Sequence, residues 1–161
     1  MKFTFHVSPS IKNNLSTQRI MKELSLSLLV VFVVACVYYG IAWSASAALH
    51  CILLLACSLI TTIICESIFA KVMKKDIKTF LKSSFGWVTA IILTLMVPVN
   101  MSCYAIIIAT IFAIVLAKLL FGGFGQNIFN PAAVGRAVIL QAFTGVSVGL
   151  ISQATPTTVI A

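Results

Sequence analysis

The sequence predicts an all-α, polytopic transmembrane protein of about five membrane segments, broken by a glycine-rich helix junction. Three observations predict it. Of 161 residues, 61% are hydrophobic and only 9% charged, against about 25% charged in a typical soluble domain, and the mean hydropathy is +1.14. The apolar residues fall in long runs rather than amphipathic stripes: residues 24–43 and 45–65 are 20 and 21 residues without a charge, and about 20 such residues cross a bilayer core as a helix. The basic residues gather in a few loops between those runs. The length fits one domain.

Residues 1–23 are polar and basic and predict a cytoplasmic or interfacial lead-in to a transmembrane domain over 24–161. The first run is not read as a cleaved signal peptide, although Ala45-Ser46-Ala47 resembles a cleavage site. A signal core is about 7–15 residues and sits nearer the start. Helix 24–43 carries Tyr38, Tyr39 and Trp43 near one end, where aromatic rings favour the interface. Helix 45–69 returns, with His50 near its outer end and Glu66 near its inner one. An ionisable residue inside a membrane is a functional candidate by default, but both lie close enough to a boundary to reach water.

Residues 83–117 hold no charge over 35 positions. One straight helix of that length would measure roughly 52 Å against a core of about 30 Å. The chain must fold back, and Pro98-Val99-Asn100 supplies the turn. This gives helices 83–97 and 101–120, the former short enough that it begins earlier, near Thr79, or sits in a thinned site. A fifth segment, 132–150, runs outward again.

Net charge is +8, and topology accounts for it without nucleic acid. Lys2, Lys12, Arg19 and Lys22 precede the first helix, Lys71, Lys74, Lys75, Lys78 and Lys82 share one loop, and Lys118 and Arg136 flank the glycine-rich turn. Basic loops stay in the cytoplasm, so the N-terminus is cytoplasmic and the tail after residue 150 extracytoplasmic. The cysteines Cys36, Cys51, Cys57, Cys65 and Cys103 show no metal-ligand spacing and read as small hydrophobes in the packing.

The window 121–136, Phe-Gly-Gly-Phe-Gly-Gln-Asn-Ile-Phe-Asn-Pro-Ala-Ala-Val-Gly-Arg, cannot be a regular spanning helix. It lacks the third glycine of a dinucleotide fingerprint and the Gly-Lys-Ser/Thr of a P-loop. Broken backbone at membrane depth is tolerated only where protein buries it or a wet cavity meets it. Two readings follow with equal weight. The backbone at Gly122, Gly123 and Gly125, with the Asn127, Asn130 and Arg136 side chains, holds a polar or anionic ligand, or the window is a plain tight turn between helices.

That window, preceded by Ala-Lys-Leu-Leu-Phe at 117–121, closely resembles the signature of the D component of the Rnf ion-translocating oxidoreductase complex, shared by the B component of the sodium-translocating NADH:quinone reductase. Ser8-Pro9, Arg19-Ile20-Met21, Val88-Thr89 and the Pro98 turn agree with it. The resemblance runs along essentially the whole chain and covers the first half of the family's architecture, whose second half carries further helices and a related motif. It implies a multi-pass component of a prokaryotic plasma membrane, working with the other subunits of a complex that couples electron transfer to Na+ or H+ movement. Ser152-Gln153-Ala154-Thr155-Pro156 resembles the family's flavinylation sequence. By that resemblance Thr155 carries FMN through a phosphodiester, Ser152 and Ala154 are the small flanking residues that admit a flavin transferase, and a second, non-covalent flavin is a further expectation. Gly149 stands where the family usually has an aspartate. The rival expectations are half of a transporter or channel without redox chemistry, and a fragment that inserts but never assembles.

Overall fold

The computed structural model describes residues 16–143. The first helix, α1, spans Thr17–Ala42. It starts ahead of the apolar run because the Ser16 hydroxyl accepts from the Arg19 N–H at 3.3 Å, an N-cap that satisfies one of the orphan donors. An exposed Arg19–Glu23 pair at 3.0 Å runs along the added turn. Only Trp43 and Ser44 separate α1 from α2, Ala45–Val72. These two helices, 26 and 28 residues long, are each long and apolar enough to cross a membrane, and they form a tight antiparallel hairpin.

The third apolar segment differs from the single helix expected over 83–97. It is a bent pair, α3 at Ile77–Ser84 and α4 at Gly86–Met96, meeting at 48°. Phe85 forms the joint, with a left-handed backbone (φ 52°) that ends one helix and starts the next. The chain reverses through Pro98, whose C=O accepts from the Met101 N–H at 3.1 Å. The next apolar segment starts as α5, Cys103–Ile111, and continues as a π-helical segment, Phe112–Leu119. The glycine-rich window follows without helix, and α6 occupies Pro131–Ala142. The expected continuation of this last segment to residue 150 lies outside the described residues.

Helix α2 is the hub, packed against α1, α3, α4 and α5. The main core joins Leu54 of α2 to Leu93, Met101, Ile106, Ala109, Ala113, Ala132 and Ile139. Ala105, Ala109 and Ala113 recur every fourth residue, and all three are fully buried. Gly135 of α6 packs on this stripe, where an added Cβ would lie 3.1 Å from the Ala109 carbonyl oxygen and 3.1 Å from the Ala113 Cβ. Small residues at such a seam let membrane helices approach closely, which is how they associate when lipid competes for every apolar contact.

Helix α6 begins on a built cap. Pro131 stands in its first turn and the Asn130 amide oxygen accepts from the Ala132 N–H at 3.1 Å. We expect Asn130→Ala to cost about 1 kcal/mol and Asn130→Asp to retain most of that, measured as a shift in denaturant midpoint of the purified protein.

The two ends of the bundle differ. At one end the start of α1 (Met21, Leu24), the α3–α4 joint and Phe124 of the glycine-rich loop line a common cavity, and the lysines at 71–82 lie on the same end. At the other, His50 Nε2 lies 2.9 Å from the Met101 carbonyl oxygen, and Tyr104 meets Phe143 edge-to-face at 5.6 Å. Phe143, the last described residue, therefore leaves the bundle at the end away from the lysines.

Candidate functional site

The most heavily constrained polar group in the bundle is Glu66. Its side chain and that of Lys118, 52 positions along the chain, are both almost fully buried, 2% and 3% exposed. Lys118 Nζ donates to Glu66 Oε1 at 2.8 Å, and the Ser84 hydroxyl donates to the same oxygen at 2.5 Å. The sequence expectation that Glu66 reaches water is corrected here. It does not, because α2 continues past it to Val72 and α3 with the joint at Phe85 closes over it. Lys118, expected at the rim of the turn as a topology determinant, points instead into the bundle from the π segment.

Three backbone irregularities converge to make room for this pair. The π segment widens the helix carrying Lys118, with Leu120 N–H bonded to the Val115 carbonyl five residues back at 3.0 Å. The left-handed Phe85 delivers Ser84 to the carboxylate. Gly86, the first residue of α4, lets that backbone lie against the pair: a Cβ there would come within 2.6 Å of Glu66 Cδ and 2.7 Å of Thr62 Cγ2. The Thr62 hydroxyl is itself buried without a hydrogen-bond partner. Two charges held out of water attract each other strongly only in such tight geometry, and each is costly to bury alone. Further along α2, the Ser58 hydroxyl lies 3.2 Å from that of Thr110.

The residues expected from the sequence to hold a ligand are mostly engaged within the fold. Gly122 and Gly123 have positive φ, and their N–H groups bond the Leu119 and Lys118 carbonyls at 3.1 and 3.0 Å, closing the π segment. Asn127 donates to the Phe129 carbonyl at 3.0 Å, Asn130 caps α6, and the Arg136 guanidinium donates to the Met96 carbonyl, an orphan acceptor at the end of α4. Gly122 and Gly123 line a cavity of about 630 Å³ at the outer surface of the loop. Asn127 lines a separate one of about 160 Å³, while Gly125, Asn130 and Arg136 line neither. Among the described residues these six do not line one common cavity. Thr155, Ser152 and Ala154 lie outside the described residues.

Sequence reasoning underrates Glu66 and misses its partner. The available signal is that Lys118 is the sole charge between Lys82 and Arg136, and Glu66 one of three acids in the chain. Two opposite charges alone in membrane helices invite pairing.

Comparison with known proteins agrees with the architecture. Residues 4–160 match the family described as NQR2, RnfD, RnfE. The chain is 30% identical over 143 residues to the D subunit of the ion-translocating oxidoreductase complex of Tolumonas auensis. It is 32% identical to the protein of the same name in Aliivibrio salmonicida and 28% to that in Shewanella amazonensis, again over 143 residues. Each alignment covers 89% of this chain but only 38 or 39% of the relative, so the chain spans well under half the length of these relatives. This multi-pass helical membrane protein belongs to the NQR2, RnfD, RnfE family.

Proposed function

We propose that this chain forms the membrane part of a flavin-carrying subunit in a complex that couples electron transfer to Na+ or H+ movement, with FMN joined to Thr155. The observation that carries the reading is the family match, which runs through residue 160 and so includes the Ser152–Thr155 motif. The relatives' shared name, as the D subunit of an ion-translocating oxidoreductase complex, supports the coupled activity and other subunits as partners. The positive-inside rule assigns the lysine-bearing end to the cytoplasm of a prokaryotic cell. The exit of Phe143, the last described residue, at the opposite end supports an extracytoplasmic Thr155, within reach of a flavin transferase.

FMN, when bound, supplies one-electron chemistry that no side chain here offers. The chain's own part is position: the helical bundle, seated in lipid, fixes the point at which the tail departs, and Thr155 provides the hydroxyl. Expressed with its transferase, the wild-type chain is expected to carry yellow-green flavin fluorescence into a denaturing gel, and Thr155→Ala to abolish it. A fluorescent band surviving the substitution would remove Thr155 as the acceptor.

A second reading, an ion- or solute-conducting half without redox chemistry, draws on the buried Glu66–Lys118 pair between two interrupted helices, a junction that transporters use for ion sites. A wild-type chain that stays non-fluorescent beside an active transferase favours this second reading.

A further inference from the structure

The cavity of about 630 Å³ is lined by neither Glu66 nor Lys118. Its size suits a small ligand, since such sites run about 300–1,000 Å³. Its walls are the α2–α3 turn (Lys74, Lys75), one face of α3 (Thr79, Phe80, Ser83, Ser84) and the glycine-rich loop (Gly122, Gly123, Phe124), with Asp76 also lining it.

Three properties indicate the occupant. The lining is net positive, two lysines against one aspartate. Among the described residues the ion pairs are Arg19–Glu23 and Glu66–Lys118, so neither Lys74 nor Lys75 is in one; Lys75 Nζ lies 5.7 Å from the Phe80 ring centroid, and Asp76 is the only acid among the five lysines of 71–82. The lysines are also held in place. Lys74 has a left-handed backbone (φ 53°), and the N–H groups of Lys74 and Lys75 bond the Lys71 and Ala70 carbonyls at 3.1 and 2.9 Å. The place of the site in the fold fits headgroup depth. It sits where membrane-crossing α2 ends, beside α3, whose Ile77, Phe80 and Leu81 contrast with Lys78 and Lys82, the pattern of a helix lying in the membrane interface. Basic clusters just beyond a spanning helix attract anionic lipid, and here the cluster encloses a cavity with aromatic rings, Phe80 and Phe124, on its walls.

We propose that this cavity binds the phosphodiester headgroup of an anionic phospholipid, held by Lys74 and Lys75, with Phe80 and Phe124 against its glycerol and upper acyl portion. The lipid touches the α3 side of the α3–α4 joint and the glycine-rich loop beside it. Ser84, which lines the cavity, also donates to Glu66, and Phe124 stacks edge-to-face on Phe85 at 4.9 Å. A filled cavity thus braces the glycine-rich loop against the joint that covers the buried ion pair.

The test uses the full chain in nanodiscs of phosphatidylcholine, with and without phosphatidylglycerol, read by thermal unfolding and by native mass spectrometry of retained lipid. Phosphatidylglycerol is expected to stay bound and raise the melting temperature. Lys74→Gln/Lys75→Gln should weaken its retention by roughly twenty-fivefold, about fivefold for each lysine. Lys78→Gln/Lys82→Gln removes the same charge outside this cavity and should have a much smaller effect. Equal losses in the two double variants would overturn the site in favour of diffuse surface attraction. Equal retention of phosphatidylcholine would overturn the anionic specificity, and stabilisation by inorganic phosphate alone would overturn the lipid as the source.

Discussion

Glu66→Ala should be the most damaging single change in the described bundle, lowering stability by about 3–5 kcal/mol, because it leaves the Lys118 ammonium buried without its counter-charge. Lys118 is 2% exposed as a whole residue, so its ammonium stays within the bundle when the partner is removed. Lys118→Ala should cost a similar amount for the mirror reason. The informative variant is the double replacement Glu66→Leu/Lys118→Met. It removes both charges while keeping volume, and substitutions of that kind are often neutral or stabilising. Recovery in the double variant, measured by unfolding of the purified protein against each single change, identifies desolvated charge as the cause. If the double variant is as unstable as the singles, packing volume and not charge is what the site supplies.

Gly86→Ala should come close to this in effect, although it adds a single methyl group. The new Cβ would sit 2.6 Å from Glu66 Cδ and 2.7 Å from Thr62 Cγ2, both too short for any real contact. The carboxylate must move, and with it the bonds from Lys118 and Ser84. Overpacking costs about 1–3 kcal/mol, and disturbance of the pair adds to it. Gly40→Ala in α1 is the matched comparison. Its Cβ would meet only the Ala48 Cβ at an ordinary 3.6 Å, so the helix preference of alanine over glycine should leave stability unchanged or slightly improved. Equal melting temperatures for the two variants would show that the backbone at residue 86 has slack, contrary to the geometry.

The membrane-crossing hairpin is legible from sequence because one quantity, an unbroken apolar run, decides it. Residues 45–65 need no knowledge of any neighbour. The joint at Phe85 is not legible in that way: a phenylalanine carries no turn signal, and its left-handed backbone follows from what α3 and α4 each pack against. The π segment is equally silent, since Phe112–Leu119 reads as an ordinary apolar helix. The polar residues of the glycine-rich window show the opposite case. Asn127, Asn130 and Arg136 stand out as unusual, but an amide that caps a helix and one that grips a ligand look alike in one dimension. Glu66 and Lys118 are each visible singly, and only the fold brings residues 52 apart into contact.

The connection between α1 and α2 bears on what this hairpin offers to its surroundings. With Trp43 and Ser44 as the whole link, that end of the hairpin offers almost no loop for another polypeptide to grasp. What the hairpin presents instead is a flank of bare aliphatic side chains, Leu26, Val30, Val33 and Val37 among them, each more than half exposed. A companion protein that docks on this side must compete with acyl chains for those contacts, so its fit depends on shape and on the lipid it displaces rather than on charge.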